Sequence, residues 1–303
     1  MSGWKISLGR GAVSRSFNGP HGAAHFTPRA RLHSIDGPAM SESLAAIVDL
    51  ARYPLNDRDG PAWAALVENC RDQLARVGFV ALDGFLHAAT AAALADEARA
   101  LQRRRSGFRS TESHNVYLRD DDDGAANLQQ QRSTKLLFAA DEVAAGSALR
   151  LLYEDDGMLA FVRAALERPD LHRSADAAGR FYVNIFEAGD ELGWHFDRSA
   201  FSVSLILQPA PRGGAFEFAP SSRAAVDALG GTMPPDAAAR IGAVAPPLAA
   251  GSLYLFQGRE ACHRVTPVEE GQRVNAIFTF NPDPEEVLNE YTLKKFFGRT
   301  RAG

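Results

Sequence analysis

The apolar positions change period about halfway along the chain. SESLAAIVDLARYPL, after Met40, opens like an amphipathic helix with Ser at its cap. PAWAALVENCRDQLARVG repeats apolar residues at helical spacing and stops at Gly78, a suitable C-cap. A short apolar run, GFVALDGFL, predicts a strand, and the Ala- and Leu-rich HAATAAALADEARALQRR predicts a second long helix. Residues 104–134 are polar, with Arg103–Arg105, Asp120–Asp123 and a Gln run at 129–131, and are expected to form a long loop. EVAAGSALRLLYED and GMLAFVRAALE return to the helical period.

Beyond residue 180 the runs shorten. FYVNIFEAG, FSVSLILQ, GGAFEFAP, GSLYLFQG and RVNAIFTFN alternate or run apolar, punctuated by Gly, Pro and Asp, as in an antiparallel barrel or sandwich. An Ala/Pro-rich insertion at 220–248 is expected to cover one mouth of that barrel. The expected architecture is mainly β with α. A single domain spans 41–303, with a helical layer over 41–178 and a β core over 179–303.

Residues 1–40 differ in kind. They are rich in Gly, Ser, Arg and His, hold Asp36 as their one acid, and read as a disordered tail or upstream extension. The remaining composition is ordinary for a globular protein of 303 residues, and the formal charge of −4 gives no basic excess to favour nucleic acid or an anionic membrane. Cys70 and Cys262 are far apart and in no metal-binding spacing, which points to a reducing, cytoplasmic setting. No apolar run approaches the roughly 18 residues that a membrane helix needs.

Candidate chemistry gathers in the β half. In GDELGWHFDRSAFSVSLILQ, His195 and Asp197 are two residues apart, so in an extended segment both project from one face. His263, 66 residues after Asp197, ends another predicted strand in GREACHRVTPV. Two imidazoles and one carboxylate on one face of an octahedron leave three positions open, the arrangement of non-heme Fe(II) oxygenases. Arg273 follows ten residues later, on a predicted barrel strand where an unpaired guanidinium is costly. The distal carboxylate of a 2-oxo acid would match its planar fork. Asn275 shares its strand face, and Asn184 on an earlier strand is a further co-substrate candidate.

The order HxD, His and Arg, with GGAFEFAP, GSLYLFQGREACHRVTPV and the terminal FFGRT, resembles the Fe(II)/2-oxoglutarate dioxygenase superfamily. Within it the chain is similar to the carrier-independent amino-acid halogenases of bacteria and their hydroxylase siblings, over roughly residues 42–300. The resemblance implies a double-stranded β-helix (jelly-roll, cupin-like) core. It implies Fe(II) on His195, Asp197 and His263, 2-oxoglutarate on Arg273, dioxygen as oxidant, and ascorbate as an accessory reductant in assays. Halogenases of that group carry Gly or Ala where this chain has Asp197, so the retained carboxylate implies hydroxylation, or another oxidation such as desaturation, rather than halogenation. A small molecule, a free amino acid or a natural-product intermediate, is the implied substrate.

For that substrate, Arg132 is a candidate carboxylate clamp, Asn281 a candidate partner for an amino-acid backbone, and Arg198, next to the ligand Asp197, a candidate rim residue. Trp194 and Phe196 flank His195, point to the opposite face and read as packing. Phe296 or Phe297 is a candidate for closing the pocket, while Glu217 reads as a rim residue and Cys262 as a small buried one. Two other readings carry different expectations. A nucleic-acid or protein oxygenase, suggested by Asn184 eleven residues before His195 and by the Arg273–Asn275 pair, calls for a basic, aromatic-interleaved patch that the sequence does not display. A non-catalytic metal-binding barrel leaves Arg273 without a role.

Overall fold

The computed structural model describes residues 44–118 and 128–301. The expected tail at 1–40, the start of the helix after Met40 and the Asp120–Asp123 run lie outside the described residues; of that first helix, 44–47 are helical.

The first long helix, α1 (Pro61–Val77), opens on Pro and ends where Gly78 turns left-handed at φ 68° and its N–H caps Leu74. It buries Trp63, Val67, Cys70 and Leu74, one stripe at helical spacing. Strand β1 (Phe79–Leu82) follows, then α2 (Ala88–Arg103), β2 (Phe108–Asn115) and β3 (Gln130–Ala139). Two helices come next, α3 (Ala148–Glu154) and α4 (Asp156–Ala165), capped by the side chains of Ser147 and Asp155. The rest is chiefly β: β4 (His172–Arg173), β5 (Phe181–Glu187), β6 (Glu191–His195), β7 (Ser202–Gln208), β8 (Arg212–Gly213) and β9 (Phe216–Ala219). Short helices α5 (Arg223–Ala228) and α6 (Ala237–Arg240) lead into β10 (Leu253–Phe256), β11 (Cys262–Val265), β12 (Val268–Glu270), β13 (Gln272–Phe278) and β14 (Phe280–Asn281), and α7 (Glu290–Phe297) closes the described chain.

Ten strands make one curled antiparallel sheet in the order β1-β10-β7-β13-β5-β3-β6-β11-β9, with β2 on the other edge of β3. This is the expected jelly-roll. Strand β3 joins its two halves, pairing with β5 through Leu136–Ala139 and with β6 through Ser133 and Thr134. Strict alternation then sorts side chains between two environments. On β5 and β13, Val183, Ile185, Val274 and Ala276 pack with the helices in the main core, while Asn184, Phe186, Arg273 and Asn275 line a cavity on the opposite face.

Two expectations are corrected. Residues 104–134 are not one long loop, since β2 and the start of β3 fall inside them and pair over eight positions, Phe108↔Leu137 to Asn115↔Gln130. Strands β1, β2 and β3 therefore carry the β core into the stretch read as a helical layer. The 220–248 insertion does not cover the cavity mouth. Its Val226, Met233, Ala237 and Ile241 pack with Trp194, Phe196 and Cys262 on the outer face of β6 and β11, because those bulky side chains alternate away from His195 and His263 and need covering.

Candidate metal centre and its cavity

His195 ends β6 and His263 lies on β11; the two pair directly across the sheet, with ring centroids 4.1 Å apart. Asp197, two residues past His195, reaches between them, its Oδ1 lying 3.5 Å from His195 Nε2 and 3.4 Å from His263 Nε2. The three ligand atoms all fall within 4.8 Å of one another, close enough to share one ion. Sequence spacing alone could not show that convergence; the β6–β11 register supplies it.

The imidazoles are held in one tautomer. Nδ1 of His195 donates to the Gly193 carbonyl and Nδ1 of His263 to the Ala261 carbonyl, each at 2.9 Å. A carbonyl only accepts, so each Nδ1 carries its proton and each Nε2 offers a lone pair to a metal. Burial pushes the His195 pKa down, helped by the neighbouring charge of His263. For Asp197 burial works the other way and would raise the carboxyl, but His263 and His195 outweigh it and hold it well below the usual carboxylate range. Its second oxygen, Oδ2, accepts from the Ser202 hydroxyl, and its backbone N–H donates to Gly258 O at 2.9 Å.

Arg273, Asn184 and Asn275 form a second group on the same cavity wall, with Asn275 directly opposite Asn184 in the β5–β13 register. All three are buried, and Arg273 Nε, Asn184 Oδ1 and Asn275 Oδ1 have no hydrogen-bond partner. A buried polar atom without a partner is costly, so a concentration of them marks a place built for a polar ligand. The cavity that joins this group to the histidines has a volume of about 420 Å³.

The proposed substrate residues divide. Asn281 lines the cavity from β14, half-buried. Arg198 reaches its rim, exposed, donating to Leu118 O at 2.9 Å and lying over the Tyr291 ring at 5.4 Å. Phe296 and Phe297 both line it from α7. Arg132 is corrected: it points out of the cavity, its side chain 58% exposed, and ion-pairs with Glu191 at 2.8 Å. Strand alternation is the reason, because Ser133, Lys135 and Leu137 of β3 take the inward face. Glu217 pairs with Arg264 at 2.7 Å, outside the cavity lining. Cys262 is buried, and burial pushes its thiol up to about 12.

Glu112, His114, Ser133 and Lys135 also line the cavity, and the sequence reading passed over all four. The signal is available only with β2 and β3 recognised as strands, for SxKxL alternation in RSTKLLFA then places Ser133, Lys135 and Leu137 together.

A family model described as HalD, Halogenase D, matches residues 63–297. No curated protein matches the chain. Among solved structures, it is similar to the non-heme alpha ketoglutarate dependent epimerase SnoN from nogalamycin biosynthesis, at 19% identity and a TM-score of 0.53, over 72% of this chain and 81% of that one. It is likewise similar to SnoN in complex with Fe3+, alpha ketoglutarate and nogalamycin RO, at 18% identity and a TM-score of 0.52, over 72% and 84%. At such identities the likeness is one of fold.

Proposed function

The chain belongs to the Halogenase D family, and from that premise we propose that it is an Fe(II)- and 2-oxoglutarate-dependent oxygenase that hydroxylates an unactivated C–H bond of a small molecule, a free amino acid or related natural-product intermediate. The observation that carries this reading is the shared cavity: three convergent ligand atoms on one wall, and a buried guanidinium with two unsatisfied amides on another.

The residues fit the cofactors. Two neutral Nε2 atoms and one carboxylate suit a divalent first-row metal and leave coordination positions free. Arg273, with no anionic partner among the described residues, suits the distal carboxylate of 2-oxoglutarate, and Asn184 and Asn275 offer further polar atoms. When bound, the iron with 2-oxoglutarate and dioxygen supplies the oxidation, and 2-oxoglutarate leaves as succinate and carbon dioxide. The protein holds and orients. Its backbone carbonyls fix both imidazoles, Ser202 fixes the carboxylate, and an aromatic wall including Phe256 and Phe216 limits water around His263.

Asp197 bears on the reaction type. With its carboxylate between the two histidines, Asp197 would itself be a ligand to the metal in place of a halide, which supports hydroxylation over the halogenation in the family's name. The cavity volume, about 420 Å³, falls in the range for small-molecule ligands and supports such a substrate over a nucleic acid or protein.

The test is anaerobic. Fe(II) and 2-oxoglutarate are added to apo-protein, with Arg273→Ala and His263→Ala alongside, and the visible metal-to-ligand charge-transfer band is recorded. A band that weakens in both variants is the expected result. No band in folded wild-type protein overturns the reading.

A further inference from the structure

Lys135 is a buried cation with no assigned work. It lies on β3, faces the cavity, and is 6% exposed. Among the described residues its Nζ makes no hydrogen bond and no ion pair; the Phe296 ring, 5.6 Å away, is its one ring contact. The acid that acts on it, Glu112, is already engaged. Ser110 donates to Glu112 Oε1 at 2.7 Å, and Lys295 Nζ stands 3.9 Å from Oε2. Two ammonium groups thus oppose one carboxylate.

The rest of the site leaves this excess standing. On the proposed function, Fe(II) with the Asp197 carboxylate and the Arg273 guanidinium together match the two negative charges of 2-oxoglutarate. Lys135 is left over, and a buried charge without a partner is among the most costly features a cavity can hold. Burial accordingly pushes its pKa down, against the pull of Glu112.

We propose that Lys135 binds the substrate: its ammonium receives a carboxylate of the substrate beside Phe296, so the substrate is an organic acid anchored from β3. This inference rests on the oxygenase reading and adds the substrate's charge to it. It gives Lys135 the clamp role that sequence had placed on Arg132, three positions earlier on the opposite face of the strand.

Calorimetry on the full chain with Mn(II) tests it in two arms. First, 2-oxoglutarate is titrated into wild type, Lys135→Met and Arg273→Met, each shown folded by thermal melting. A loss of roughly tenfold or more is expected in Arg273→Met and less than about twofold in Lys135→Met. Equal losses would assign Lys135 to the co-substrate and overturn the proposal. Failure of wild type to bind 2-oxoglutarate would instead count against the oxygenase reading, and the second arm, run then with Mn(II) alone, still decides on Lys135.

In the second arm the protein is saturated with Mn(II) and 2-oxoglutarate. The proteinogenic L-amino acids and the straight-chain carboxylates from butyrate to octanoate are titrated, and the tightest probe is compared with its carboxamide. Replacing the carboxylate should cost wild type roughly tenfold to a hundredfold, Lys135→Arg a similar factor, and Lys135→Met little. An equal cost in wild type and Lys135→Met, or no saturable binding of any carboxylate probe, overturns the assignment.

Discussion

A methyl group built on Gly258 would collide with Asp197 Oδ2 and lie 2.8 Å from its Cγ. The same glycine accepts the Asp197 backbone N–H, so the main chain of the loop after β10 presses against the metal-binding carboxylate. Gly258 is here for space rather than for a left-handed turn. Gly258→Ala is expected to swing Asp197 off the line between the two histidines and weaken Mn(II) or Fe(II) binding by at least about tenfold, while the fold melts near the wild-type temperature. Metal titration beside a thermal melt checks this; unchanged affinity would show that Asp197 is not confined by this contact.

Asp197 itself tests the exclusion of halide. Because its Oδ1 stands within 3.5 Å of both Nε2 atoms, chloride should find no metal position in wild type. The charge-transfer band of the Fe(II)–2-oxoglutarate complex is expected to be indifferent to chloride in wild type. In Asp197→Ala it should be weaker and should shift on chloride addition, with hydroxylation lost. A chloride-dependent shift in wild type would contradict the assignment of Asp197 as a ligand.

Arg273 should show two effects of opposite sign. Its Nε is buried and unpartnered, and the guanidinium lies 6.0 Å from the centre of the Phe186 ring. Replacing it by Met removes an uncompensated charge from the apo-protein, and urea denaturation should show stability equal to wild type or higher by about 1 kcal/mol. Co-substrate affinity should move the other way, falling roughly tenfold to a hundredfold. A variant that loses both stability and affinity would show that Arg273 serves the fold.

How much of this site was legible depended on whether polar residues sat on recognisable strands. His195 and Asp197 could be placed on one face because apolar Trp194 and Phe196 alternate with them. Arg273 and Asn275 alternate with Val274 and Ala276 in the same way, and FYVNIFEAG declares β5 around Asn184. Strand β3 gave no such contrast. Its inward Ser133 and Lys135 face a polar cavity and its outward Arg132 faces water, so both faces of its first half read as polar and the segment resembled a loop. The sequence therefore points to Arg132 and gives no cue to Lys135, because only the register with β2, β5 and β6 shows which face of the strand turns inward. The position of the insertion at 220–248 is hidden for a related reason: its apolar residues announce that it packs, but not on which face of the barrel.

The last prediction concerns His114, which stands edge-on to His195 at 5.9 Å without being a ligand. Burial first, and then the charge of His195, lower its pKa from 6.5 to about 4. Its hydrogen bonds require the neutral form on separate grounds. Nδ1 lies 3.1 Å from the Asn115 carbonyl and must donate; Nε2, 2.6 Å from Ser133 Oγ, can then accept the hydroxyl proton, leaving that oxygen free to take the Gly193 N–H at 3.0 Å. A charged His114 would donate at both nitrogens and leave the Ser133 proton without its present acceptor. With the folded pKa below the unfolded one, both states are neutral above pH 6.5 and the group has no effect there. As pH falls, the unfolded chain takes up the proton first, so stability declines between about 6.5 and 4 and is constant below. The penalty reaches about 2 kcal/mol at pH 5 and about 3 kcal/mol below pH 4. Urea denaturation of metal-free protein at pH 7 and pH 5 measures it, and His114→Gln isolates it, since every other group is common to both proteins. The variant should lose about 2 kcal/mol less than wild type between those pH values. Equal losses would mean that folding does not lower the His114 pKa, and on protonation Nε2 would then donate to Ser133 Oγ, reversing that bond alone while the Gly193 N–H still donates to the same oxygen.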